Sequence, residues 1–175
     1  RVLLLGLGGG AALHVLSATL NPAKLVAVEL DAVHIRIAST WFDIDATRAE
    51  VHHADAIRWI GRSNAHFDII IDDVFVHAAA ASLDPYRPVK SDAAWRQRLE
   101  RRLKSGGTLI RNHVDPAQAR RDALAARASF PTVCECRVQS YCNVVTAAFA
   151  SPLNLRAARG RCPGPANLTC REIKG

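Results

Sequence analysis

The chain has no methionine, only two tyrosines, and 6% aromatic residues in all. It has no apolar run long enough to cross a bilayer, so no membrane span is expected. Without methionine it does not begin at a natural start, and the expectation is a piece of a longer protein whose N-terminal domain is missing. The five cysteines, Cys134, Cys136, Cys142, Cys162 and Cys170, follow no zinc-ligand spacing. Their odd number argues against a closed disulfide framework, so all five are expected as free thiols in a reducing cytoplasm. Acidic residues are outnumbered, 16 against 23 basic, for a net charge of +7. The excess is mostly arginine, in 96–104 (Arg96, Arg98, Arg101, Arg102, with Lys104) and in 156–161 (Arg156, Arg159, Arg161). No aromatics interleave with them as on a single-strand binding surface, so a solvated helix face and tail are expected and nucleic acid is not an expected partner.

What the 175 residues do contain is enough apolar material, 49%, for one full core. Val2-Leu3-Leu4-Leu5 runs into Gly6-Leu7-Gly8-Gly9-Gly10, followed by a helical pattern from Ala11 to Leu20. That order is a buried strand, a tight turn and a helix whose N-terminus offers unpaired N–H groups to a ligand. The next apolar run, Leu25–Val28, ends in Glu29, placed to accept hydrogen bonds from a ribose diol. These features predict an adenosine-containing cofactor.

Strands and helices alternate along most of the chain. Strands are expected at 2–5, 25–29, 48–52, 67–72 and 107–112, mostly continuous apolar runs of the kind buried on both faces of a parallel sheet. Helices are expected at 31–42, with Val33, Ile37 and Trp41 on an inward stripe, at 55–60, and at 92–104 with Trp95, Leu99 and Leu103 inward. Lys104-Ser105-Gly106-Gly107 reads as a helix stop and turn. A helix over 115–127 precedes two strands, 132–138 and 142–149, close enough to form an antiparallel hairpin. The expected fold is therefore a doubly wound, mostly parallel seven-stranded α/β sheet with a C-terminal hairpin over residues 1–150. Residues 151–175, rich in Pro, Gly and Arg, read as a loose tail.

Two further carboxylate positions fall at the carboxyl edge of this sheet. Asp55 follows the third strand, where it can read an adenine amino group or simply cap a helix. Asp72-Asp73 ends the fourth strand, and alternation allows only one of the pair to face a ligand easily. His77 and His113 also follow strands at that edge.

In this order, Gly6–Gly10, Val28-Glu29-Leu30-Asp31, Ala54-Asp55-Ala56, Asp72-Asp73-Val74-Phe75 and Leu103–Gly107 resemble the class I S-adenosylmethionine (SAM)-dependent transferases, in particular their spermidine synthase-like branch. The resemblance covers residues 2–149 and implies a Rossmann-like fold. It implies cofactor contacts from Gly6, Leu7, Gly8, Gly10, Glu29, Leu30, Asp55, Ala56 and Asp72, with Asp73 as the catalytic base. True spermidine synthases carry an aspartate where this chain has Gly9, and a second aspartate followed by proline where it has Val74-Phe75-Val76-His77. The resemblance therefore implies methyl transfer from SAM to an amine or other nucleophile, on a small molecule or a protein, by a cytoplasmic enzyme, with a homodimer common in the family. Aminopropyl transfer from decarboxylated SAM to a polyamine, and a catalytically silent SAM-binding module, stand as alternatives. An NAD-dependent oxidoreductase is a weaker one.

Overall fold

The computed structural model describes residues 1–77, 85–89, 92–161 and 167–174. In chain order the elements are β1 (Val2–Leu5), α1 (Ala11–Leu20), β2 (Leu25–Glu29), α2 (Ala32–Phe42), a 3-10 turn (Ile44–Thr47), β3 (Glu50–His53), α3 (Ala56–Arg62) and β4 (Phe67–Asp72). Then come β5 (Val76–His77), β6 (Pro85–Tyr86), α4 (Asp92–Glu100), β7 (Leu103–His113), α5 (Pro116–Ala126), β8 (Thr132–Val138), β9 (Val144–Phe149), α6 (Leu155–Arg161) and β10 (Leu168–Glu172). One sheet runs β10-β8-β9-β7-β4-β1-β2-β3, and β5 pairs with β6 alone. In the larger sheet β3, β2, β1, β4 and β7 are parallel, and β9, β8 and β10 are added by antiparallel pairings.

The doubly wound sheet with its antiparallel end is thus as expected, with one addition. An eighth strand, β10, comes from the stretch read as a loose tail and lies antiparallel to β8, Cys170 opposite Cys136. The two sulfurs are bonded, with Cα atoms 4.1 Å apart. The expectation of free thiols fails for this pair, because strand pairing brings together cysteines 34 residues apart that spacing alone does not link. Cys134 and Cys142 are free, and Cys162 lies outside the described residues.

The continuous apolar strands are explained by two cores, one on each face of the sheet. Leu3, Leu5, Val26 and Val28 join Ile60, Trp95, Leu99 and Ala123 on the face covered by α3, α4 and α5. Val2, Leu4 and Ala27 join Leu13, Leu16 and Ala38 on the face covered by α1 and α2. Burying such side chains contributes about 1.5–3 kcal/mol each, which is why both faces of β1 and β2 are apolar. Among the described residues no helix is long and apolar enough to cross a membrane.

Three local expectations are corrected. In α2 the stripe Val33, Ile37, Trp41 has the helical period but faces outward, with Trp41 78% exposed; the helix packs instead through Ala38 and Ile35. Helix α4 ends at Glu100, and Lys104–Gly107 belongs to the start of β7, where Gly106 has φ +79°. Arg96 is not on a solvated face; it is buried and paired with Glu100 and Asp122.

Candidate functional site

The glycine loop and the carboxyl ends of the parallel strands converge on one cavity of about 610 Å³. The loop's shape comes from positive φ at Gly6, Gly8 and Gly10. At Gly6 a glycine is required twice over: φ is +86°, and a Cβ there would sit 2.2 Å from the carbonyl oxygen of Asp73. β1 and the end of β4 therefore touch where the two signature segments meet. Gly8 has open space around it and lines the cavity.

Glu29 organises this loop. Its Oε2 accepts the main-chain N–H of Leu7 at 2.8 Å and of Gly8 at 3.3 Å, and Oε1 accepts that of Asp31 at 2.9 Å. A carboxylate has about four acceptor sites, so after these three amides capacity remains for one hydroxyl of a diol. Asp55 caps a helix and also lies in the cavity wall. Its Oδ1 accepts the N–H groups of Ile57 and Arg58, capping α3, while the residue lines the cavity with Ala56 and Ile57. Leu30 also lines the cavity. Leu7 lies behind the loop with its side chain buried, and Gly10 caps α1 against Ile44. Neither belongs to the cavity wall.

The two adjacent aspartates separate completely. Asp73 lines the cavity together with Val74, Phe75 and Val76, and its Oδ1 accepts the Asn112 side-chain amide at 2.8 Å. Burial is the largest influence on its carboxyl and raises its pKa above the usual range; the Asn112 hydrogen bond opposes this. Asp72, expected among the cofactor contacts, points to the other face and is fully buried. Its Oδ2 accepts from Trp95 Nε1 at 3.0 Å, Arg111 Nε at 2.9 Å and Arg87 Nη2. Strand alternation decides this: one residue faces the ligand edge and the next must enter the helix-covered core, where a carboxylate survives only if paired.

His113 is corrected in the same way. It lies on the core face of β7, fully buried, with Nε2 3.1 Å from Thr146 Oγ1, and its pKa is pushed down to about 3, first by burial and then by the Arg111 and Arg87 guanidiniums. The side chain of His77 lies outside the described residues.

A second cavity, about 390 Å³, shares Asp73 with the first. Ile71, Ile110, Val145 and Leu168 give it an apolar wall, and Asn112, Asn143, Tyr141 and Arg137 bring polar groups. Asn143 Nδ2 donates to Asn112 Oδ1 at 3.1 Å, extending the chain Asn143–Asn112–Asp73. Asn112, Asn143 and Arg87 were missed by sequence reasoning. A polar pair, Arg111-Asn112, closing an apolar strand was a usable signal, whereas Arg87, bracketed by Pro85 and Pro88, lies in no periodic pattern.

No protein-family model matches the chain. Over 151 residues it is 26% identical to the mouse eEF1A lysine and N-terminal methyltransferase, covering 82% of this chain and 22% of that protein. It thus spans about a fifth of that relative's length. Human methyltransferase-like protein 13, solved in complex with SAH, superimposes with a TM-score of 0.70 at 24% identity, over 91% of this chain and 77% of the other. Spermidine synthase from Thermotoga maritima gives 0.68 at 18% identity, over 95% and 59%. With its strand order and antiparallel C-terminal end, the chain has the fold of the class I S-adenosylmethionine-dependent transferases.

Proposed function

We propose that the chain carries the SAM-binding and catalytic site of a methyltransferase acting on an amine or other nucleophile, whether of a small molecule or a protein. The observation that carries this reading is the charge of the larger cavity's wall. Among the described residues it holds four carboxylates, Glu29, Asp31, Asp55 and Asp73, one histidine, His34, and no lysine or arginine. Such a wall suits a ribose diol, an adenine amino group and a sulfonium cation. It repels the pyrophosphate of a dinucleotide, which counts against NAD.

SAM, when bound, supplies an electrophilic methyl group on a positively charged sulfur. The chain's residues do the rest. Gly6 and Gly8 let the main chain approach the ligand, and Glu29 and Asp55 take the ribose and adenine ends. Leu30 and Ala56 flank the base, while Leu7 and Gly10 fix the loop from behind. Asp73 takes the proton that the attacking nucleophile loses, with Asn112 holding the carboxylate in place. Its raised pKa suits a base that must both accept and release a proton. The second cavity, apolar and open to Asp73, is the natural seat for the acceptor. A polyamine fits it poorly, since Asp73 is its one carboxylate among the described residues and Arg137 stands in its wall.

Calorimetric titration with SAM, decarboxylated SAM and NAD tests the reading. Tightest binding of SAM is the expected result; binding of NAD alone, or of none of the three, would overturn it.

A further inference from the structure

After Asp73 the chain leaves the sheet, and Pro85–Tyr86 returns to pair with Val76–His77. Phe75, Val76 and Pro88, on either side of this excursion, form part of the larger cavity's wall. Arg87 ties the returning segment down. Its Nη2 donates to Asp72 Oδ2, and its Nη1 donates to the main-chain carbonyl of Asn112 at 3.0 Å. Its guanidinium lies 5.3 Å from the centre of the Phe75 ring. The side chain is 4% exposed. Asn112, whose carbonyl it holds, is the residue whose side chain holds Asp73.

We propose that Arg87 is a positioning residue of the transfer site: it clamps the wall formed by Phe75 and Pro88 onto the ends of β4 and β7, and in doing so sets the grip on the cofactor and the state of Asp73 together. The proposal rests on the SAM-binding reading. A planar fork is needed because the carboxylate of Asp72 and the carbonyl of Asn112 must be held at once, while the flat face lies against an aromatic ring. Without Arg87, Asp72 still has Arg111 and Trp95, so its buried charge is not orphaned.

Asp73 responds to charge from several elements. Asp72 on its own strand and Glu29 at the end of β2 disfavour its ionised form, and Arg87 favours it; β7 presents the neutral amide of Asn112. Asp31, His34 and Asp55 stand elsewhere in the same cavity and Arg137 in the neighbouring one. Removing the Arg87 charge therefore moves the titration of Asp73 to higher pH.

The test is calorimetric titration of SAM and of SAH, its demethylated counterpart without the sulfonium charge, from pH 4 to pH 9, on wild type, Arg87→Met and Arg87→Lys. Ionised Asp73 favours the sulfonium, so the ratio of the two affinities reads its charge. A cavity that is merely loosened weakens both ligands alike. Arg87→Met is expected to bind both at least ~10-fold more weakly, with the fall in SAM preference displaced to higher pH. Arg87→Lys is expected to restore that midpoint but not the affinity, since it keeps the charge and loses the fork. Wild-type affinities in either variant, a uniform loss with an unmoved midpoint in Arg87→Met, or a wild-type preference independent of pH would each overturn the proposal. If Arg87→Met fails to unfold cooperatively, Arg87→Lys decides: both ligands weakened with the wild-type midpoint kept supports the proposal, and wild-type affinity or a moved midpoint overturns it. Failure of the wild type to bind either ligand would overturn the SAM reading itself.

Discussion

Asp72 and Asp73 are neighbours in the chain and face opposite sides of the sheet, one sealed in an arginine and tryptophan cluster, the other lining the larger of the two cavities. The separation gives them different consequences on mutation. Asp73→Asn keeps the shape and the side chain's reach to Asn112 but cannot take a proton. Turnover is expected to fall by about 10²–10⁴-fold while SAM affinity changes only a few-fold. A methyl-transfer assay beside calorimetry separates the two; wild-type turnover would remove Asp73 as the base.

Glu29→Ala removes the acceptor for the Leu7, Gly8 and Asp31 amides as well as the proposed ribose contact. SAM affinity is expected to drop by more than ~10-fold, since a charge-assisted hydrogen bond is worth about 1.5–3 kcal/mol. Calorimetric titration reads this directly, and an unchanged Kd would eliminate the assignment.

Gly6→Ala places a methyl group against the Asp73 carbonyl at a positive φ. The backbone strain alone is about 1–2 kcal/mol, and the displaced carbonyl adds to it. A lower Tm and loss of SAM binding are expected together. Gly8→Ala, with open space around its Cβ, bears the positive-φ strain without the collision and should lose less stability.

The buried His113 makes stability depend on pH. Its folded pKa, about 3, lies below the ordinary value of 6.5, so the native state holds it neutral while the unfolded chain takes up a proton. Its contribution is complete above pH 6.5 and is lost as pH falls from 6.5 toward 3, by up to roughly 4–5 kcal/mol. Thermal melts of wild type and His113→Gln across this window test it. The variant, less stable at neutral pH, should show a flatter pH dependence; parallel profiles would refute the assignment.

The Cys136–Cys170 bond closes a loop of 34 residues at the sheet's edge. In the loop-entropy picture this contributes about 3–4 kcal/mol. Cys170→Ser, or wild type under a thiol reductant, is expected to melt several degrees lower, with the change greatest in hydrogen exchange of 168–172 paired to 134–138. Equal Tm values with and without reductant would show that the staple contributes little.

Several features were legible in the linear pattern because they depend on local chemistry. Apolar runs marked β1, β2 and β4, since strands buried on both faces have no polar side to alternate with. Glycines at the β1–α1 turn marked the candidate ligand loop because glycine adopts the positive φ values of Gly6, Gly8 and Gly10 without strain. Glu29, Asp55 and Asp73 were placed at the site because each ends a strand or opens a helix at the sheet's carboxyl edge. The α2 stripe shows the limit of this reasoning. A helical period announces an apolar side but not which surface receives it, and here Trp41, Ile37 and Val33 face outward.

By itself, then, the sequence determined the alternation of elements, the glycine loop and the carboxylates around it, because backbone sterics and burial act over a few residues. Three-dimensional packing was needed to show which of two adjacent aspartates lines the cavity, that Arg87 returns to bond Asp72 and Asn112, that His113 is sealed in the core, and that Cys170 finds Cys136. These pairings join residues 15 to 39 positions apart. Such contacts arise from strand order and from the need to pair buried charge, neither of which is written in local spacing.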